Sequence, residues 1–182
     1  MIRVYLLTGS PGSGKTTVIK KALAGTHSKA AGFYTEELRT GGIRQGFSLT
    51  TLDGTTTTLA HVAISSPHRV GKYGVDITNL DRVGVTALLE AVDSTEIIVI
   101  DEIGKMELLS PRFREAALKA INSGKRVLGT IMLNPHPFAD QVKDLPGVTV
   151  KRINRENREQ VLDEISDWLK SSTDEHQYTA HR

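Results

Sequence analysis

The chain contains no cysteine, which excludes a disulfide framework and any thiolate metal site. It has no apolar run near the roughly eighteen residues of a membrane-spanning helix. The apolar stretch in "MIRVYLLTGSPG" is too short for a signal-peptide core and carries no cleavage pattern. These absences set the expectation of a cytoplasmic chain with no membrane partner. Aromatics are scarce, at 5% of residues with four Phe and four Tyr, which argues against a stacking platform for single-stranded nucleic acid. Neither charge sign prevails. Lys and Arg number 23 against 21 Asp and Glu, a net of +2, so no polyanion partner is implied. The remaining composition, 38% hydrophobic and 24% charged over 182 residues, suits one globular domain over 1–170, with a monomer favoured. The last stretch, "SSTDEHQYTAHR" at 171–182, has no periodicity and is expected to be a flexible tail.

The pattern alternates strands and helices, which favours a parallel α/β sheet. Strands are expected at 2–8, 32–38, 97–100, 126–132 and 148–152, and helices at 15–24 and 82–92. Between 40 and 62, the turn signals Gly41–Gly42 and Asp53–Gly54 separate β-prone runs and predict an inserted antiparallel meander. Residues 65–74 read as a loop. Ser110 followed by Pro111 marks a helix start, and Gly124 its end. Val161, Leu162, Ile165, Trp168 and Leu169 trace one face of a final helix.

"GSPGSGKT" matches G-x-x-x-x-G-K-[ST] in full and lies between an expected strand and an expected helix. Gly9, Gly12 and Gly14 let the backbone curl, so that amides from Gly9, Ser10, Pro11, Gly12, Ser13 and Gly14 onward form a nest for phosphate (Pro11 supplies none). Lys15 would reach the β and γ phosphates, and the Thr16 hydroxyl would ligate Mg²⁺. Thr17 either touches a phosphate or sits in the first helical turn.

"IIVIDE" ends an all-apolar strand on two acids, Asp101 and Glu102. A carboxylate there suits a bound Mg²⁺, which assigns Asp101 to the metal beside Thr16. Glu102 then reads as the base for an attacking water, or as a solvated loop acid. "DEIG" also fits the D-x-x-G of signalling GTPases, but no N-K-x-D guanine reader occurs, so the hydrolase parse is preferred. Lys105 and Glu107 are weaker candidates, and Lys105 is either a phosphate contact or a surface charge. Thr130, polar within an apolar strand, is either a γ-phosphate sensor or a hydroxyl satisfied in the sheet.

"GSPGSGKTT", "GFYTEELRTGGIRQGFSLTTLDG", "VGKYGVD", "IDEIGKMEL", "GTI" and "NRE" together resemble the THEP-type nucleoside triphosphatases, also called the cancer-related nucleoside-triphosphatase family. The resemblance spans about residues 2–170. It implies a RecA-like P-loop NTPase fold, α/β, with a mixed and mostly parallel sheet between helices. It also implies Mg²⁺-dependent hydrolysis of ATP, GTP, CTP and UTP to diphosphate and phosphate. The family pattern places Asn157 and Arg158 near the base, although Asn157 with Gln160 also reads as a helix-capping pair. It places a basic residue at Arg44, with Arg39 nearby. Either would neutralise transition-state charge or sit on a hairpin surface. His68, Arg69 and Lys72 receive no role. Where the family often has Phe-Glu after "GVD", this chain has "ITNLDR".

A rival class is a nucleotide or nucleoside kinase, with the meander as an acceptor-pocket wall. A nucleotide-gated binding module has little support from a charge of +2. The missing guanine reader generates a prediction. kcat/KM for ATP, GTP, CTP and UTP should differ modestly. A preference beyond roughly a thousandfold, about 4 kcal/mol, would reveal a dedicated base reader.

Overall fold

The structure is a computed structural model that describes residues 2–171, so the expected tail lies outside the described residues from 172 on. One nine-stranded sheet runs through the molecule in the order β5-β6-β4-β3-β2-β7-β8-β1-β9. Its parallel half comprises β1 (Val4–Thr8), β2 (Ala30–Thr40), β7 (Ile97–Ile103), β8 (Arg126–Ile131) and β9 (Val148–Arg152). Its antiparallel half comprises β3 (Ile43–Thr51), β4 (Thr56–His61), β5 (Arg69–Val70) and β6 (Tyr73–Val75). The expected α/β sheet with an added meander is therefore present.

The parallel strands are covered on both faces, so β1, β8 and the first part of β7 are buried without alternation. One face packs Leu6, Ile98, Ile100, Val127 and Phe113 with the helices α3 (Thr86–Ser94) and α4 (Pro111–Ile121). The other packs Tyr5, Leu7, Val99 and Leu128 with α1 (Lys15–Ala24) and α6 (Arg158–Lys170). Among the described residues no helix is long and apolar enough to cross a membrane.

Four segments depart from the sequence expectation. β7 does not stop at Ile100 but continues through Ile103, so both acids lie inside the strand. The 65–74 loop holds the small hairpin β5–β6, because Gly71 at φ +57° supplies the turn. The helix expected at 82–92 starts at Ile77, where the Asp76 carboxylate accepts from the Asn79 amide at 2.8 Å, and passes through a π-helical stretch, Leu80–Val85, into α3. "ITNLDR" is therefore the opening of that helix. A short helix, α5 (Pro137–Lys143), was not foreseen, since its cap is the imidazole of His136.

Ser110 caps α4 as expected. Its hydroxyl accepts from the Phe113 amide at 3.0 Å and donates to Asp81 at 2.5 Å, fully buried. Ser110→Ala removes the cap and strands the Asp81 acceptor. It should cost about 1–2 kcal/mol in urea unfolding, with the denaturant slope unchanged.

Candidate active site

The phosphate loop leaves β1 after Thr8 and enters α1 at Lys15. Gly12 and Gly14 hold φ of +76° and +95°, the left-handed region that glycine enters without penalty. A side chain on Gly9 would meet the Ile153 carbonyl at 2.5 Å, so the loop start is pressed against β9's exit. Gly14 caps α1 without a side-chain hydrogen bond. The first helical amides therefore lack an intrahelical partner and stand free for an anion. Lys15 Nζ donates to the carbonyls of Gly9 at 2.9 Å and Ser10 at 3.2 Å, which folds its stem back over the loop. The Ser13 Oγ is buried with no partner. That orphan is the group a phosphate oxygen would satisfy.

Asp101 is 3% exposed. Thr16 Oγ1 donates to its Oδ2 and Thr130 Oγ1 to its Oδ1, both at 2.5 Å. The sheet order accounts for this, because β8 lies between β7 and β1. Thr130 thus takes the place predicted for the middle strand, with its hydroxyl on Asp101. Burial pushes the Asp101 carboxyl above its usual range, and the hydrogen bonds from Thr130 and Thr16 and the charge of Lys15 oppose it. A divalent cation would reverse the balance in favour of the carboxylate. No cluster of three His, Cys, Asp or Glu is placed to hold a metal among the described residues. Mg²⁺ does not require one, since it is commonly held by one or two protein oxygens with phosphates and water. The donor pair Thr16 and Asp101 therefore fits the ion.

In a regular strand, Asp101 and Glu102 would face opposite sides of the sheet. They do not, because β7 is irregular there. Ile100 pairs with Gly129 and Ile103 with Ile131, so three steps on β7 match two on β8. This one-residue bulge turns both acids into one cavity. Gly104 makes room for the result, since a Cβ on it would lie 2.3 Å from Glu102 Oε1. The glycine of the D-x-x-G string thus has a packing reason. Burial raises the Glu102 carboxyl's pKa, the Asp101 charge raises it further, and Lys15 lowers it.

Glu107 is the group that sequence reasoning underrated. It is 3% exposed and lines the same cavity. Its carboxyl is pushed well above the usual range, first by burial and then by Glu102. An acid between Met106 and Leu108, in an otherwise apolar turn, is the signal that could have marked it. Lys105 is exposed at the cavity rim and Thr17 is exposed in the first turn of α1. Arg158 lies over the loop, with its Cδ 3.6 Å from where a Gly14 Cβ would be. Asn157 is occupied in its own turn: its Oδ1 accepts from Asn154 N and its Nδ2 donates to the Arg152 carbonyl. The Asn157–Gln160 capping pair does not form, because Gln160 turns to Glu164 at 3.0 Å. The two meander arginines separate. Arg39 is held by Glu37 and the Gly42 carbonyl outside the cavity, whereas Arg44 lines it. Arg69 is tied to the Lys72 carbonyl at 2.7 Å within its own hairpin, and neither residue lines the cavity.

The raised Glu107 carboxyl has a consequence for stability. The unfolded chain loses this proton near the ordinary value of 4.5, whereas the folded chain holds it to higher pH. The folded state then binds more protons, so this group lowers stability as pH rises from about 4.5 toward its folded value. Glu107→Gln should accordingly gain stability relative to the parent as pH rises above the ordinary carboxyl value of 4.5 in urea unfolding. A difference that does not vary with pH would mean that the carboxyl ionises equally in both states.

The NTPase family model matches residues 4–166. The nucleoside-triphosphatase THEP1 of Thermotoga sp. (strain RQ2) is 46% identical, over 94% of this chain and 98% of that protein. The cancer-related nucleoside-triphosphatase of Homo sapiens is 38% identical, over 94% and 99% respectively. The crystal structure of THEP1 from the hyperthermophile Aquifex aeolicus aligns with a TM-score of 0.84 at 32% identity, over 92% of this chain and 99% of that one. With the phosphate loop, the paired acids and the sheet order all in place, the chain belongs to the NTPase family, a family of enzymes.

Proposed function

We propose that this chain hydrolyses nucleoside triphosphates to diphosphate and phosphate in the presence of Mg²⁺, with weak preference among ATP, GTP, CTP and UTP. The observation that carries this is the Asp101 carboxylate, shared between Thr16 of the loop helix and Thr130 of the middle strand, with Glu102 opening on the same cavity. The loop amides and Ser13 bind phosphate oxygens. Lys15 neutralises the β and γ phosphates from a stem already held by Gly9 and Ser10. Thr16 and Asp101 hold the metal, which when bound withdraws charge from the phosphate oxygens. Thr130 keeps Asp101 aimed. Glu102 accepts the proton of the attacking water. Its raised affinity for a proton suits a base that must take one near neutral pH. Arg158 covers the loop from the β9 edge and approaches the phosphates from there. Asn157 shapes that turn, with one donor and one acceptor of its amide committed to Arg152 and Asn154.

Three substitutions separate these roles. Lys15→Ala should abolish tight triphosphate binding with thermal unfolding nearly unchanged. Unaltered nucleotide affinity would place the phosphates elsewhere. Glu102→Gln should keep nucleotide binding and lose turnover by roughly 10²–10⁴, the usual worth of a general base. Asp101→Asn should raise the Mg²⁺ requirement and slow turnover together, with partial rescue by added Mg²⁺ that Glu102→Gln does not show. Parental turnover in Glu102→Gln would make that carboxylate a bystander.

A further inference from the structure

The cavity does not end at the phosphate loop. It has a volume of about 610 Å³ and runs from Lys15 and Thr16 toward the antiparallel half of the sheet. Its apolar walls are Phe47 of β3, Leu59 of β4 and Val70 of β5, with Met106 after β7 and Met132 after β8. Asn157 and Arg158 take no part in it. The loop can therefore be approached from two directions: from the β9 edge under Arg158, and from an apolar chamber beyond Glu102.

On the function proposed above, on which this step rests, the triphosphate follows the loop with its γ end beside Lys15, Asp101 and Glu102. The nucleoside then leaves on the Arg158 side, and the γ phosphate faces the chamber. Hydrolysis needs one water there, which has a share of liquid volume of roughly 30 Å³. Part of the cavity is taken by the phosphates, but the remainder is lined for an organic molecule. Organic ligands ordinarily use cavities of roughly 300–1,000 Å³ that are mostly apolar with a few placed polar groups.

The polar groups define the chemistry. Arg44 stacks on the Phe47 ring at 5.5 Å and donates from one terminal nitrogen to Glu37 at 2.8 Å. Its Nε is buried and unpartnered. A donor is thus preset above an aromatic face, itself backed edge-on by Tyr73. A second anion is disfavoured, because Glu36, Glu37, Asp101 and Glu102 outnumber the cations Lys15, Arg44 and Lys105 along the walls, and a γ phosphate adds more negative charge.

We propose that this chamber is a second ligand subsite, taking a neutral molecule with a flat ring and a free hydroxyl that accepts the γ-phosphoryl group in place of water. The ring lies along Phe47, Val70 and Met106, and a ring nitrogen or carbonyl accepts from the accessible end of the Arg44 guanidinium. The hydroxyl oxygen bonds to the γ phosphorus. The bond from that phosphorus to the β–γ bridging oxygen breaks, and its electron pair leaves with the diphosphate. The hydroxyl proton passes to Glu102. The products are a phosphate monoester and a nucleoside diphosphate, and no other reactant is consumed.

The test uses the whole chain with Mg²⁺ and ATP labelled at the γ phosphate. The probes are adenosine, guanosine, cytidine, uridine and benzyl alcohol. At least one should yield a labelled monoester. Val70→Trp, which fills the chamber away from the phosphate machinery, should cut that transfer by roughly tenfold or more and leave hydrolysis without probe within about twofold. Met106→Trp should behave alike, which guards against one variant that folds poorly. Absence of a monoester from every probe, with hydrolysis intact, overturns the chamber proposal alone. Loss of ATP affinity in both folded tryptophan variants overturns it too, by placing the nucleoside in the chamber. A parental protein that neither binds nor hydrolyses ATP overturns the triphosphate reading with it.

Discussion

The site depends on one carboxylate that would be intolerable by itself. Asp101 is withdrawn from water, and an ionised group so placed costs several kcal/mol unless it is paired or hydrogen-bonded. Two threonines supply those bonds, and they come from different elements: Thr16 from α1, directly after β1, and Thr130 from β8. The contact therefore exists only if β8 is inserted between β7 and β1. The strand order is the condition for the chemistry. The same hydroxyl–carboxylate–hydroxyl chain registers the phosphate loop against the acids, since Lys15 and Thr16 are consecutive and Asp101 and Glu102 are consecutive.

The bulge in β7 is the second condition. An acid pair at the end of a regular strand would divide between the two faces of the sheet. The extra residue between Ile100 and Ile103 brings both carboxyls to one cavity, and the bare Cα of Gly104 accommodates the second. Burial raises the proton affinity of Asp101, Glu102 and Glu107; the Asp101 charge raises that of Glu102 further, and Glu102 and Asp101 raise that of Glu107. Such a cluster weakens the empty fold as pH rises, and only a bound cation or a retained proton relieves it. Stability is given up where a cation and phosphates are expected to bind, as functional sites commonly require.

Local sequence revealed whatever depends on local spacing. The phosphate loop is one strand, one turn and one helix start, and its glycines and lysine are fixed by eight consecutive residues. The Ser110 cap and the two meander turns are equally local. What escaped depends on pairing across the chain. The run 97–100 gives no sign that β7 continues, because the partner that continues it is Ile131 of β8. The hairpin Arg69–Val70 with Tyr73–Val75 is too short to signal itself and is held by pairing with β4. The chamber was invisible for the same reason, since Phe47, Val70, Met106 and Met132 meet only once the meander folds over the loop. Asn157 shows the reverse failure. A correct local pattern suggested a cap with Gln160, but both side chains have better partners in Asn154, Arg152 and Glu164.

The weak base selectivity proposed above follows from where the binding energy would reside. In that proposal the cradle consists of loop amides, Ser13, Lys15 and the Thr16–Asp101 pair, and each would address a feature that every nucleoside triphosphate shares. Strong discrimination needs buried polar groups left unpaired by the wrong base. Near the loop's β9 side, the groups that could serve are exposed or already used. Arg158 is exposed and runs alongside Gly14, while the Asn157 amide closes its own turn. On the opposite side of the proposed γ position, the Arg44 guanidinium is held over Phe47 by Glu37 and lines the cavity as a fixed donor. By the same criterion that denies selectivity for the base, the chain's capacity to discriminate lies on the chamber side. The molecule best placed to be recognised is therefore the one that meets the γ phosphate.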